Sequence, residues 1–238
     1  MKTFKLLKSA ILVNVLFSSL VLAAPQIGRS QGGRQYLISS DALHNWSIGA
    51  YVSESRRDVR VRGQNNQMKS KSSGVYVGYD VLRWATVFGI AGLSNTSFNH
   101  RYSSSHNELG LSLQLNLIDH ELMDPTVMEN RLRLNLQTSY MWHKADYPGG
   151  SVAWGDLSTG LMFSVVNDTP SFKVFWVENI ALFGGPVYSK LIGSNLSERS
   201  NVGYAAGIEV GVSEKVSLLA GIKDIDRTSA MGSITVRF

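Results

Sequence analysis

Two aspartates flank a single residue near the end of the chain, in "KDIDR", where Asp224 and Asp226 form a D-x-D element. Carboxylates so spaced can hold a cation, or activate water when a histidine faces them. The histidines on offer are His100, His106 and His143, and His106 lies in "RYSSSHN" (101–107), where serine beside histidine supplies the ingredients of a nucleophile and its base. Nothing in the spacing brings these groups to one place. There is no G-x-S-x-G, no phosphate-binding loop and no H-E-x-x-H. The chain has no cysteine, which excludes thiolate catalysis, disulfides and cysteine metal sites. A lone D-x-D is a weak calcium signal. The expectation is therefore no metal, no cofactor and no enzymatic activity.

Charge is the other candidate chemistry. "SESRRDVRVRGQNNQMKSKSS" (53–73) sets Arg56, Arg57, Arg60, Arg62, Lys69 and Lys71 against Glu54 and Asp58. The formal charge is +5, but without Lys2, Lys5 and Lys8 the 23 basic residues fall by three against 18 acidic ones, leaving about +2. That balance is no nucleic-acid signature, and no nucleic-acid partner is expected.

What must position these groups is read from periodicity. "LGLSLQLNLID" alternates Leu109, Leu111, Leu113, Leu115 and Leu117 with Gly110, Ser112, Gln114 and Asn116. In a strand those sets point to opposite faces, whereas in a helix the leucines would leave no coherent stripe. "RLRLNLQTSYMW" and "NVGYAAGIEVGV" repeat the pattern. Period two predicts ten strands, near 44–56, 72–82, 85–96, 107–119, 130–142, 151–166, 172–184, 200–213, 216–225 and 230–238. Connectors at 83–84, 167–171 and 213–215 are tight, while 57–71, 97–106, 143–150 and 185–199 are longer and polar. Short turns at one end and long loops at the other predict an all-β, closed, antiparallel up-and-down barrel of about ten strands, with eight as the alternative.

The N-terminus reads as a secretory signal at 1–23, with basic "MKTFKLLK", apolar "SAILVNVLFSSLVLA" and a cut after Ala23. Residues 24–43 read as a periplasmic lead-in and 44–238 as the barrel. The polar face of the strands is Gly, Ser, Asn, Gln, Arg and Glu, whereas a water-facing exterior would carry more Lys and Glu. The apolar face is Leu, Val and Ile, with Trp46, Tyr140, Trp142 and Tyr204 near strand ends, as in a membrane barrel with aromatic girdles. A closed barrel is also the one sheet that can span a bilayer, since an open edge would strand backbone groups in hydrocarbon.

The last strand, with Gly232, Ile234, Val236 and terminal Phe238, resembles the C-terminal signature of bacterial outer-membrane β-barrel proteins. "GVYVGYDVLRWATVFGIAGLSN" (74–95) looks like a strand–turn–strand unit of the broad OmpA-like barrel superfamily. The resemblance implies an outer-membrane location with both termini periplasmic, and recognition of the last strand by the barrel-assembly machinery. Omptin-type proteases of that membrane pair carboxylates with an Asp–His couple, but here Asp119 and His120 are adjacent and at the periplasmic end. On this reading Asp80, Arg131, Arg133, Asp156, Glu178, Glu209, Lys223 and Arg237 face the lumen as a paired network that plugs it. The 53–73 segment becomes an external loop beside lipopolysaccharide, whose phosphates its cations would meet. The expected role is structural or surface-interacting, as a monomer, with a narrow channel or a surface hydrolase as alternatives.

Overall fold

The computed structural model describes residues 46–82, 84–99, 102–122, 129–147, 150–168, 177, 179–193, 196–213 and 215–238. The signal and lead-in expected at 1–43 lie outside them. Among the described residues eleven strands form: β1 (Trp46–Val61), β2 (Gln64–Leu82), β3 (Ala85–Phe98), β4 (Tyr102–Leu122), β5 (Glu129–Tyr147), β6 (Gly150–Asp168), β7 (Asn179–Ile192), β8 (Leu196–Glu198), β9 (Val202–Gly211), β10 (Val216–Asp224) and β11 (Thr228–Arg237). All but β8 are the staves of a ten-strand meander, closed where β11 pairs antiparallel with β1 from Ser47↔Arg237 to Glu54↔Ala230.

Alternation decides which side each residue faces. On β4, Leu109, Leu111, Leu113 and Leu117 are exposed on the outer wall, with Leu111 66% exposed, while Glu108, Ser112 and Gln114 are buried inside. The same division holds at Val75, Val77, Leu182 and Ile234 outside against Tyr76, Ala181, Phe183 and Thr235 inside. From Leu109 to Ile118 this stripe matches the ~9–11 residues a tilted strand needs to cross hydrocarbon. Trp46 packs on Tyr79 at 4.7 Å between ring centroids at the end holding both described termini, with Trp84 beside that end. Tyr140, Trp142, Tyr188 and Tyr204 mark the other edge of the band. This is a membrane-spanning barrel, apolar outside and aromatic at both rims.

The long loops expected at the far end are largely strand. Residues 53–73 form an extended hairpin, closed by a two-residue turn in which Arg62 and Gly63 take φ values of 51° and 81°. Positive φ at both positions is what the tightest hairpin turn demands, and glycine meets it without strain. Residues 97–98, 102–106, 143–147 and 150 likewise belong to β3, β4, β5 and β6. The seventh stave extends further than expected at its far end: β7, described from Asn179, runs through the Gly185–Pro186 stretch read as loop to Ile192, while the expected strand residues 172–176 and 178 lie outside the described residues.

The staves are uneven. β1–β2 pairing continues to Val61↔Gln64, whereas β11 leaves β1 at Glu54. Above that point the edge of β1 is taken by β8, through Val59↔Glu198, Arg60↔Ser197 and Val61↔Leu196. The connector between β7 and β9 thus crosses the mouth and satisfies an edge that would otherwise be open.

Candidate functional site in the barrel lumen

Under β8, side chains from the rising hairpins meet across the mouth. Val59, Val61, Met68, Phe98, Ala145, Val152, Trp154, Leu191 and Leu196 form one buried cluster, with Phe98 and Val61 at 0% exposure. The Phe98 and Trp154 rings meet edge to face at 6.5 Å. An aromatic pair of this kind excludes water and adds ~0.5–1.5 kcal/mol beyond its buried area.

Below Trp154 the lumen turns polar. His143 stacks on the indole at 5.4 Å and 20° and turns Nδ1 toward Glu108 Oε2 at 3.3 Å. Glu108 has no solvent exposure; it also accepts from the Tyr51 hydroxyl and from Ser72 Oγ at 2.9 Å. Four staves thereby converge on one carboxylate, which the low dielectric makes costly to leave unpaired. Beside it a cavity of ≈ 50 Å³ is lined by serines together with His143, Asp156 and Lys223.

Arg57 is the second anchor. The sequence places it in an external loop; the structure turns it inward, 3% exposed, because β1 keeps its alternation through the rising hairpin. Its Nη1 donates to Ser189 Oγ at 2.9 Å, and its Nη2 donates to Ser189 O at 3.2 Å and Ser200 O at 3.0 Å. Asp156 Oδ1 lies 4.0 Å from Nη1 and accepts from Ser189 Oγ at 2.6 Å. One guanidinium thus joins β1, β7 and the connector into β9.

The charges predicted for the lumen are strung along it rather than gathered. Asp80 accepts from Thr86 Oγ1 at 2.6 Å, and Arg131 is half-buried near the terminal end. Arg133 is buried and donates from Nε to Asp119 Oδ2 at 3.1 Å. That partner comes from a register shift between Asn116 and Ile118, which leaves Leu117 and Ile118 both outside and turns Asp119 inward. Glu209, Lys223 and Arg237 share an inner face, but Lys223 stands apart from Glu209, which is level with Leu219, four residues along β10, or about 13 Å away. Lys223 instead joins Asp156 and donates to Ser158 Oγ at 3.4 Å. Glu178 lies outside the described residues. The lumen is also less polar than its predicted lining, for Met162, Phe183, Val187 and Leu219 fill one side and Tyr51, Tyr76, Phe88 and Ile90 the other.

Of the basic segment, Arg56, Lys69 and Lys71 lie on the outer wall around Glu54, Arg60 is exposed beyond them, and Arg62 occupies the turn. These residues are strand and turn, not a long loop. Among the described residues the D-x-D carboxylates meet no histidine: Asp224 accepts from Thr228 Oγ1 at 2.8 Å, and His143 faces Glu108. His106 lies 3.4 Å from Asp146, and His100 is outside the described residues.

Glu108 and Tyr51 are candidate site residues that sequence reasoning missed, whereas that reasoning places Arg57 in the external loop and notes Asp119 only beside His120, without its partner Arg133. The inward phase of Glu108 is readable from the leucines beside it, but its partners come from strands far away in the chain.

No family model and no curated protein matches the chain. Solved structures that resemble it include the transport unit of the autotransporter AIDA-I from Escherichia coli, at 11% identity over 86% of this chain and 93% of that one with a TM-score of 0.40. An outer membrane channel from Pseudomonas putida F1 has 9% identity over 82% and 94%, with a TM-score of 0.38. The outer membrane protease OmpT from Escherichia coli has 8% identity over 82% and 96%, with a TM-score of 0.36. A transport unit, a channel and a protease are the roles of those proteins.

Proposed function

We propose that this chain is a small bacterial outer-membrane barrel, its termini on the periplasmic side, with a lumen closed to solutes and a structural or surface-interaction role. The supporting observation is the apolar plug of Phe98, Trp154, Val61 and Leu196 across the mouth, lying directly above the Glu108 and Arg57 networks. What remains accessible from outside the cell is the rising sheet of β1 to β6 with β8 braced against it, a rigid platform carrying charged outer positions such as Arg60. Surface interaction would be made there and not by the barrel interior. The last strand, with Gly232, Ile234, Val236 and Phe238, would be the element read by the assembly machinery.

The test is ion conductance of the purified barrel in a planar bilayer, alongside the double variant Phe98→Ala, Trp154→Ala. The parent is expected to pass no sustained current and the variant to show intermittent openings. A steady parent current would favour the second reading, a narrow channel, for which the serine-lined cavity at Asp156 and Lys223 would be the inner constriction.

A further inference from the structure

The outer wall is not uniformly smooth. Across β2 to β5, within the apolar band, runs a groove of ≈ 530 Å³. Its floor is Gly89 and Ala91 of β3; Val77 stands on one side, and Leu111 and Trp142 on the other. Gly89 faces open space, with no atom within 4 Å of where a Cβ would stand, so the floor is low because a side chain is missing there. The groove is shallow and open to the side, a shape that fits an extended acyl chain lying along the wall.

At the far end of the same strands, just past the band, lies the cationic cluster. Lys69 Nζ is 3.0 Å from Glu54 Oε1 and Lys71 Nζ is 3.9 Å from Oε2, while Arg56 Nε donates to Oε1 at 2.7 Å. One carboxylate faces three cations, which leaves two positive charges uncompensated within the cluster. Lys71 is 65% exposed and Arg56 47%. Along β2 the cluster and groove are in line: Lys71 stands opposite Asn95, and four residues on, Val75 stands opposite Ala91 at the groove. That is about 13 Å of strand, room for a headgroup between cations and hydrocarbon.

We propose that this wall is a specific site for a phosphorylated, multiply acylated glycolipid of the outer leaflet, one acyl chain lying over Gly89 and Ala91 and a phosphate received by Arg56, Lys69 and Lys71. The proposal rests on the outer-leaflet placement proposed above. A groove at membrane depth with cations at its outer end matches an anionic amphiphile in both chemistry and order. A second copy fits worse, because a two-fold contact over this patch would set two cationic clusters against each other. Glu54 keeps the cations ordered but competes with the phosphate for them.

Native mass spectrometry in a non-ionic detergent tests the site without reference to cellular location or conductance. The probes are hexa-acylated diphosphoryl lipid A, its dephosphorylated form, phosphatidylglycerol and inorganic phosphate. One retained diphosphoryl lipid per barrel is expected, with the other three bound at least about tenfold more weakly. The double variant R56Q/K71Q should lose about tenfold, and Glu54→Gln should gain a few-fold by removing the competitor. Gly89→Val, a change suited to a strand, should lose about tenfold while leaving folding intact by heat-dependent gel mobility. Equal binding of the dephosphorylated lipid, of phosphatidylglycerol or of phosphate alone would overturn the proposal. So would an unaffected Gly89→Val, or a two-chain species that Gly89→Val abolishes.

Discussion

Arg57→Leu removes a buried guanidinium that hydrogen-bonds β1 to β7 and to the connector crossing the mouth. The guanidinium makes three hydrogen bonds, at 2.9, 3.2 and 3.0 Å, to Ser189 Oγ, Ser189 O and Ser200 O. Bonds to a charged donor contribute ~1.5–3 kcal/mol each in favourable cases, but they are not additive, and leucine recovers some packing. The ion pair adds less, since Asp156 is 4.0 Å away and keeps its bond from Ser189 Oγ. Breaking a buried charged anchor costs ~3–5 kcal/mol in total, and the lower end applies here because Asp156 retains a partner. Arg57→Lys, a point charge that cannot span both serines, should lose about half as much. Equilibrium unfolding in urea, in detergent micelles and followed by tryptophan emission, gives the difference directly. Protease cleavage within 193–201 should rise in parallel, because Ser200 loses its tether. An Arg57→Leu barrel within about 0.5 kcal/mol of the parent would refute the anchor.

Two further outcomes are expected. Burial, reinforced by the Asp58 carboxylate and only partly offset by Arg57 and Arg199, holds the Asp226 carboxyl above its ordinary pKa in the β10–β11 turn. A raised value means that the ionised form costs stability at neutral pH and that the cost disappears as pH falls through that value. Asp226→Asn should therefore raise the melting temperature at pH 7.5 by about 1–2 °C, with the gap closing on acidification; a lower melting temperature at pH 7.5 would contradict this. Phe238 is 67% exposed and its N–H donates to Trp46 O at 2.9 Å, a bond that any residue could make. Phe238→Ala should thus fold normally in detergent yet accumulate unassembled in cells, and unimpaired insertion in cells would remove the assembly role.

The staves within the membrane were legible because hydrocarbon outside and a mixed lumen inside enforce strong contrast, as between Leu111 and Ser112. Contrast fades where the hairpins rise into water. Ser53, Ser55, Arg57, Val59 and Val61 still alternate with Glu54, Arg56, Asp58 and Arg60, but both sets contain polar residues, so strand reads as loop. At β7 the glycines and Pro186 mimic a loop, yet Pro186 sits where β6–β7 pairing is interrupted between Gly160↔Val187 and Phe163↔Gly184, so its missing N–H breaks no ladder there. The lumen network was partly hidden for a different reason. A pattern shows that Glu108 points inward; only register shows that Tyr51, Ser72 and His143 meet it.

Because the chain has no cysteine, single cysteines report their own surroundings. In lipid vesicles, with a charged, water-soluble maleimide, Arg60→Cys on the rising hairpin should label fast. Leu111→Cys on the outer wall and Ser139→Cys inside the lumen should both stay protected, one by hydrocarbon and the other by the closed interior. Labelling of Ser139→Cys as fast as Arg60→Cys would contradict the closed lumen on which the account rests.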